Sequence, residues 1–261
     1  MVGPSIAPDR GVTGYYMDRT QGPACALTCP AGTVFRNYFV PTTDASSGRQ
    51  FVGQCRGGRQ INLASSVEEV LENDKHKYWA LRNGYIMPEE GKMATLNQAL
   101  KEGGEELCEC VVESFRAGIH WGTAVGGEGD GGNGGIICQV YASAVPVAYC
   151  KNTSITDWAP LARLTLRGMY KATLLAGAKL ARESGERVTV YLTLLGGGAF
   201  GNQVTWILDA IEEAVCEFGE EALDVKLVHY SSVTARYADF AKKLTRKLKK
   251  KVKDVRKEAL L

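Results

Sequence analysis

Histidine is scarce in this 261-residue chain: three are scattered at His76, His120 and His229. The eight cysteines (Cys25, Cys29, Cys55, Cys108, Cys110, Cys138, Cys150 and Cys216) form no paired C-x-x-C knuckles. A structural zinc module is therefore not expected, and nothing in the residues calls for a metal or cofactor. No apolar run approaches the roughly 18 residues of a membrane span. The first ten residues lack a basic region followed by an apolar one, so no secretory signal is expected. A reduced intracellular compartment, the cytoplasm first, is the matching expectation. Internal repeats are absent. Hydrophobic residues make up 45% and charged residues 23%, which excludes a disordered chain, a collagen-like fibre and a disulfide miniprotein.

What is present begins with charge. The net charge of +2 conceals an asymmetry. Residues 241–261 carry ten Lys/Arg against two Asp/Glu, and the other 240 residues carry 21 against 27, so a tail at +8 follows a body at −6.

Patterning gives a coarse map. Residues 33–40 are mostly β-branched and aromatic and read as a strand. Residues 41–60 are polar and glycine-rich and read as a long loop. Ser66 with Glu69 forms a capping box ahead of a short helix. Residues 96–115 read as a helix weakened by Gly103 and Gly104. Residues 125–135 hold seven glycines and must be a loop. Residues 136–142 read as a strand, taken as parallel. Asp157 is positioned to cap a long helix ending at Ser184, with Gly185 as its stop. Residues 187–195 have the unbroken apolar character of a central buried strand. An amphipathic helix over 203–218, a strand over 224–230 and a helical tail complete the chain. Cys138 and Cys216 sit in apolar runs and read as small buried hydrophobes. The alternation after residue 157 argues for an α/β sandwich with a largely parallel sheet and helices on both faces. One domain over 1–235 and a basic helical tail over 236–261 are expected.

The sharpest motif is the loop Leu194, Leu195, Gly196, Gly197, Gly198, Ala199, Phe200, Gly201, Asn202 between a strand and a helix. Glycines there allow close backbone approach, and a helix N-terminus favours an anion, so a phosphate or diphosphate is the natural guest. Gly196, Gly198 and Gly201 also satisfy the G-x-G-x-x-G dinucleotide fingerprint. That fingerprint requires an acid at the far end of the next strand, which here ends in Val228 and His229. Asp224, the only acid of that strand, stands at the wrong end. An NAD(P)-binding Rossmann oxidoreductase is thus the weaker alternative.

This loop, the following helix with Trp206 and Ile207, and the strand beginning at Asp224 resemble the C-terminal half of a macrodomain. The segments Pro23-Ala24-Cys25-Ala26, Phe35-Arg36-Asn37-Tyr38-Phe39 and 139–149 are similar to a divergent branch of that family, over about residues 15–235. The branch includes enzymes that remove ADP-ribose from arginine side chains, one of them in a bacterial effector that acts on ubiquitin. The resemblance implies a three-layer α/β/α sandwich with a mixed, largely parallel central sheet. It implies hydrolysis of mono-ADP-ribose from an arginine of a modified protein, ubiquitin being one candidate. A non-catalytic ADP-ribose reader is the alternative.

By the same resemblance, residues 196–202 wrap the diphosphate and distal ribose, and Phe200 packs on that ribose. Asp18 is the nominee for the adenine amino group, Arg36 for phosphate and Asn37 for a ribose hydroxyl. Tyr141, Ser143 and Tyr149 flank a strand end beside the cleft. Cleaving the N-glycosidic bond needs a carboxylate to hold or protonate the guanidinium, and a second group to orient water. The branch carries acids near the segment matching 121–125, where this sequence has none. Glu128 and Asp130, in the glycine-rich loop, are the catalytic candidates.

The tail repeats Tyr237, Phe240, Leu244, Leu248, Val252 and Val255 at helical spacing. One reading is a helix docked on the domain edge. The others are contact with nucleic acid, an acidic protein or an anionic membrane. A nuclear address is a further reading of its lysine runs.

Overall fold

A computed structural model describes residues 13–14, 17, 29–44, 46–55, 59–82, 84–125, 135–229 and 232–258. Backbone packing divides the chain into two units. The first comprises Met1–Ser65, Trp79–Met87 and Gly118–Tyr141; the second comprises Ser66–Tyr78, Pro88–Ala117 and Ala142–Leu261. The architecture is mixed α/β, with its strands in two-stranded pieces.

The first unit opens on α1 (Pro30–Val34), which runs into a π-helical turn, Phe35–Phe39. The strand expected over 33–40 is therefore a helix. Pro30 at the first helical position fixes a helical φ, and that start overrides the β-type composition that follows. The loop expected over 41–60 contains a hairpin instead, β1 (Pro41–Thr43) antiparallel to β2 (Gln50–Val52). Its turn is organised by Asp44, whose carboxylate accepts from the backbone N–H groups of Ser46 (3.0 Å) and Ser47 (2.9 Å) and from both hydroxyls. These bonds, with the Ser46 hydroxyl foremost, hold the Asp44 carboxyl down at about 2. β3 (Trp79–Arg82) pairs with β4 (Tyr85–Pro88). β5 (Gly118–Ala124) pairs with β6 (Ile136–Tyr141), and the pairing is antiparallel, not parallel, with a register shift between His120 and Thr123. Eleven residues separate the two strands in the sequence, too few for the crossover that a parallel pair needs.

In the second unit, α2 (Ser65–Val70) and α3 (Asn73–His76) precede α4 (Lys92–Ser114). α4 kinks at Gly104, whose φ of 64° and ψ of −155° only glycine adopts without strain. α5 (Ile155–Ser184) is the central helix, with Trp158, Leu161, Leu166 and Leu174 fully buried. Its cap is Ser154 and not Asp157: the Asp157 N–H donates to Ser154 Oγ at 3.0 Å. Gly185 ends it in the left-handed region, as expected.

β7 (Val188–Leu192) pairs in parallel with β8 (Leu223–Leu227). β7 is not buried on both faces. Val190 and Leu192 point into the core while Thr189 and Tyr191 are exposed, and the Lys226 ammonium lies 5.6 Å from the Tyr191 ring centroid. Short runs of β-branched residues do not distinguish one buried face from two. α6 (Val204–Glu217) packs along α5. Arg167 joins three helices there, reaching Glu109 of α4 at 2.6 Å and Glu213 of α6 at 2.5 Å. Burial opposes its charge, but the bonds and charges of the two glutamates hold it above its ordinary value. Cys138 and Cys216, expected to be buried, are half-buried, and among the described residues the buried thiols are Cys29 and Cys55.

α7 (Ala235–Glu258) is the helical tail. It belongs to the second unit and packs on α6. Tyr237, Ala241, Leu244 and Leu248 share a cavity of about 270 Å³ with Ile211 and Val215 of α6 and Val225 and Leu227 of β8. Over residues 237–248 the stripe therefore faces the fold, with Leu244 buried and Tyr237, Phe240 and Leu248 half-buried, while the side chains of Val252 and Val255 lie outside the described ones. Among the described residues no helix is long and apolar enough to cross a membrane.

Candidate functional site

The glycine loop leaves β7, runs through residues 194–202 and enters α6. Two glycines turn the chain with positive φ, Gly196 at 69° and Gly201 at 68°. Both also stand where a side chain would collide. A Cβ on Gly196 would lie 2.5 Å from Ala144 Cβ, and one on Gly201 would lie 2.9 Å from Ala148 Cβ. Gly198 differs: its φ is ordinary and a Cβ there would meet nothing within 4 Å. The first pair shapes the loop, whereas Gly198 faces open space.

The loop is laced to residues 142–149. Asn202 Nδ2 donates to the Val145 carbonyl at 2.8 Å and, less closely, to Gly196 at 3.4 Å. The Ala148 N–H donates to the Phe200 carbonyl at 2.9 Å, and Tyr149 meets the Phe200 ring edge-on with centroids 5.4 Å apart. Inside the loop, Gly197 N–H donates to Leu194, Gly201 N–H to Gly198 and Asn202 N–H to Gly196. The start of the loop is pinned by Tyr170 of α5, whose hydroxyl donates to the Thr193 carbonyl (2.7 Å) and accepts from the Leu195 N–H (2.9 Å). Burial pushes the Tyr170 phenol far up, so it stays protonated and keeps donating.

Three properties make this double loop suited to an anion. The N–H groups of Gly196, Gly198 and Ala199 donate to no backbone carbonyl among the described residues, and Gly198 and Ala199 are exposed. The loop opens on the N-terminus of α6, which has no side-chain cap and no acid in its first turn. Residues 142–150 and 193–203 contain no charged side chain, so nothing there repels a phosphate. Asn202 is buried, and its Oδ1 has no partner among the described residues.

Arg36 and Asn37 belong to the first unit, in the π-helical turn. Arg36 lies over the Tyr141 ring, 4.7 Å from its centroid, and donates to Asn37 Oδ1 at 3.4 Å. Asn37 is fully buried, and its Nδ2 has no acceptor among the described residues. Its backbone is fixed by Gln54, whose N–H donates to the Asn37 carbonyl and whose side chain joins the Arg36 carbonyl to the Ile61 N–H. Tyr141 is thus a platform for Arg36. Ser143 donates to the neighbouring Ala144 carbonyl at 3.3 Å. Asp18, Glu128 and Asp130 lie outside the described residues.

Asp224 is held by Arg187 through two bonds of 2.7 and 3.1 Å, and that contact keeps its carboxyl below the ordinary range. It is engaged at the start of β8. At the other end His229 packs against the Tyr237 ring at 4.6 Å. The acid that a dinucleotide fold needs at that strand end is not there.

Sequence reasoning singled out the loop but missed what holds it. Asn202, a ligand candidate by sequence, has its amide nitrogen engaged as a brace. Tyr170 lies in no motif, and the 139–149 motif does not show that Val145 and Ala148 meet the loop, because these roles depend on which segments come together. No protein-family model, curated protein or solved structure matches the chain.

Proposed function

We propose that this chain is a divergent macrodomain that binds ADP-ribose and hydrolyses mono-ADP-ribose from arginine side chains of a modified protein. In this reading the fold completes to a three-layer α/β/α sandwich, and residues 196–202 wrap the diphosphate. The observation that carries the binding half is the uncharged double loop with exposed N–H groups at the uncapped start of α6. A diphosphate places two anionic groups side by side, which suits consecutive amides better than a lone carboxylate does.

The hydrolytic half rests on the resemblance and on Glu128 and Asp130. A carboxylate pair matches a planar guanidinium through charge-assisted bonds and gives the leaving group a proton donor. A reader without catalysis would keep the same diphosphate loop, so only turnover separates the two. The Rossmann alternative is disfavoured by the engagement of Asp224 with Arg187.

Calorimetric titration with ADP-ribose tests the binding half. Gly198→Ala should bind as the parent does, since a methyl there meets open space. Gly198→Glu should fold normally and lose binding, because it adds length and negative charge where the diphosphate sits. Equal affinity in Gly198→Glu refutes the assignment of this loop. Binding of NADH with no preference for ADP-ribose restores the oxidoreductase.

A further inference from the structure

The docked tail helix leaves its opposite face without a role in the fold. We propose that this face of α7 is a sequence-independent binding surface for the phosphate backbone of nucleic acid. The inference stands apart from the ADP-ribose reading and does not depend on it.

Tyr237, Ala241, Leu244 and Leu248 line the cavity against α6 and β8. With about 100° per residue, Lys242, Lys243, Arg246, Lys249 and Lys250 fall on the other side of the helix. All five are exposed. Lys243, Arg246, Lys249 and Lys250 make no ion pair among the described residues, and Lys242 reaches Asp239 only at 4.0 Å. Lys247, at the flank of the row, is spent on Glu212 at 2.6 Å. In the sequence, Lys253, Arg256 and Lys257 recur at the same helical spacing. The face is thus a straight row of like charges with steps of about one helical turn, near 5 Å.

Like charges so close together repel one another, and the body of the chain supplies little to neutralise them along this face. An extended polyanion with regularly spaced charges is the complementary partner. A phosphate backbone has that form and gains from release of its condensed counterions. Membrane insertion of an amphipathic helix needs the apolar stripe free to enter the lipid, and here Tyr237, Leu244 and Leu248 are turned toward α6 and β8. The exposed row has no aromatic residue to stack on bases, so recognition reads charge and not sequence.

The test uses the full-length protein and fluorescence anisotropy with a labelled mixed-sequence single-stranded DNA. Binding is expected at 50 mM salt, with log K falling against log salt at a slope between about −3 and −5, as four to seven neutralised phosphates require. A four-site variant, Lys243→Glu with Arg246→Glu, Lys249→Glu and Lys250→Glu, should weaken binding by about 30-fold or more with an unchanged melting temperature. If that variant misfolds, the corresponding four-site glutamine variant and the salt slope of the parent carry the test. Absence of binding at 50 mM salt overturns the proposal, as does equal affinity in a folded variant. Equal affinity for polyglutamate of the same charge overturns it in favour of an acidic protein. Binding to phosphatidylserine vesicles but not to DNA overturns it in favour of a membrane surface.

Discussion

Asn202 Nδ2 donates to the Val145 carbonyl at 2.8 Å, a buried side-chain tie between residues 194–202 and residues 142–149. Both partners are buried. Asn202→Ala removes that bond and leaves the Val145 carbonyl with the Val147 N–H alone, at 3.0 Å, and losing one such bond costs about 0.5–1.5 kcal/mol. A domain of this size should lose several degrees of melting temperature. The same variant should weaken ADP-ribose binding, since the two loops no longer hold one geometry. A thermal melt that coincides with the parent would remove Asn202 as the brace.

Tyr170 supports the same loop from α5. Tyr170→Phe keeps the ring packed and deletes the hydroxyl that bridges Thr193 and Leu195. The Leu195 N–H keeps its bond to the Thr193 carbonyl at 3.0 Å, so the expected loss is about 0.5–1.5 kcal/mol. Hydrogen exchange should localise it, with the Leu195 amide exchanging faster while amides of α4 are unaffected. Unchanged exchange at Leu195 would contradict this role.

The glycines of the loop should separate into two kinds. Gly201→Ala puts a methyl 2.9 Å from Ala148 Cβ on a backbone with φ of 68°, and should destabilise by more than about 1 kcal/mol. Gly198→Ala should leave stability unchanged or raise it slightly. Denaturant unfolding of the two variants measures the contrast, and equal midpoints would show that the loop does not constrain Gly201.

The Asp44 turn makes a pH prediction. Its carboxyl is lowered in the folded state to about 2, from 3.8. Its contribution to the β1–β2 turn is therefore complete above about pH 3.8 and lost as pH falls through about 2. Carboxyl chemical shifts followed by acid titration should give a midpoint near the lower value. A midpoint at 3.8 would mean that the serines do not engage it.

The legible part of this protein was the part that local chemistry decides. Gly185 as a helix stop, the kink at the Gly103-Gly104 pair and the strand–glycine–helix run at residues 188–217 need no knowledge of distant segments. Residues 33–40 carry strand-favouring Val34, Phe35, Tyr38 and Phe39, but Pro30 starts a helix that continues through them, which composition alone does not show. In β7, Tyr191 is apolar enough to pass for core in the sequence, yet it lies on the exposed face beside Lys226. The tail pattern implied a docked stripe but could not say which surface receives it. That surface is formed by Ile211, Val215, Val225 and Leu227, from two elements that only the fold brings together. The braces at Tyr170 and Asn202 have the same character: each acts across 25 or more residues of chain.

The most direct test is release of ADP-ribose from an arginine-ADP-ribosylated protein, run beside a glutamate-linked one and read by mass spectrometry. The account predicts free ADP-ribose from the arginine substrate alone, slowed by Asp130→Ala and abolished by Gly198→Glu. Retention of the modified protein without release would contradict the hydrolase and leave a reader. Release from the glutamate substrate alone would contradict the assigned linkage.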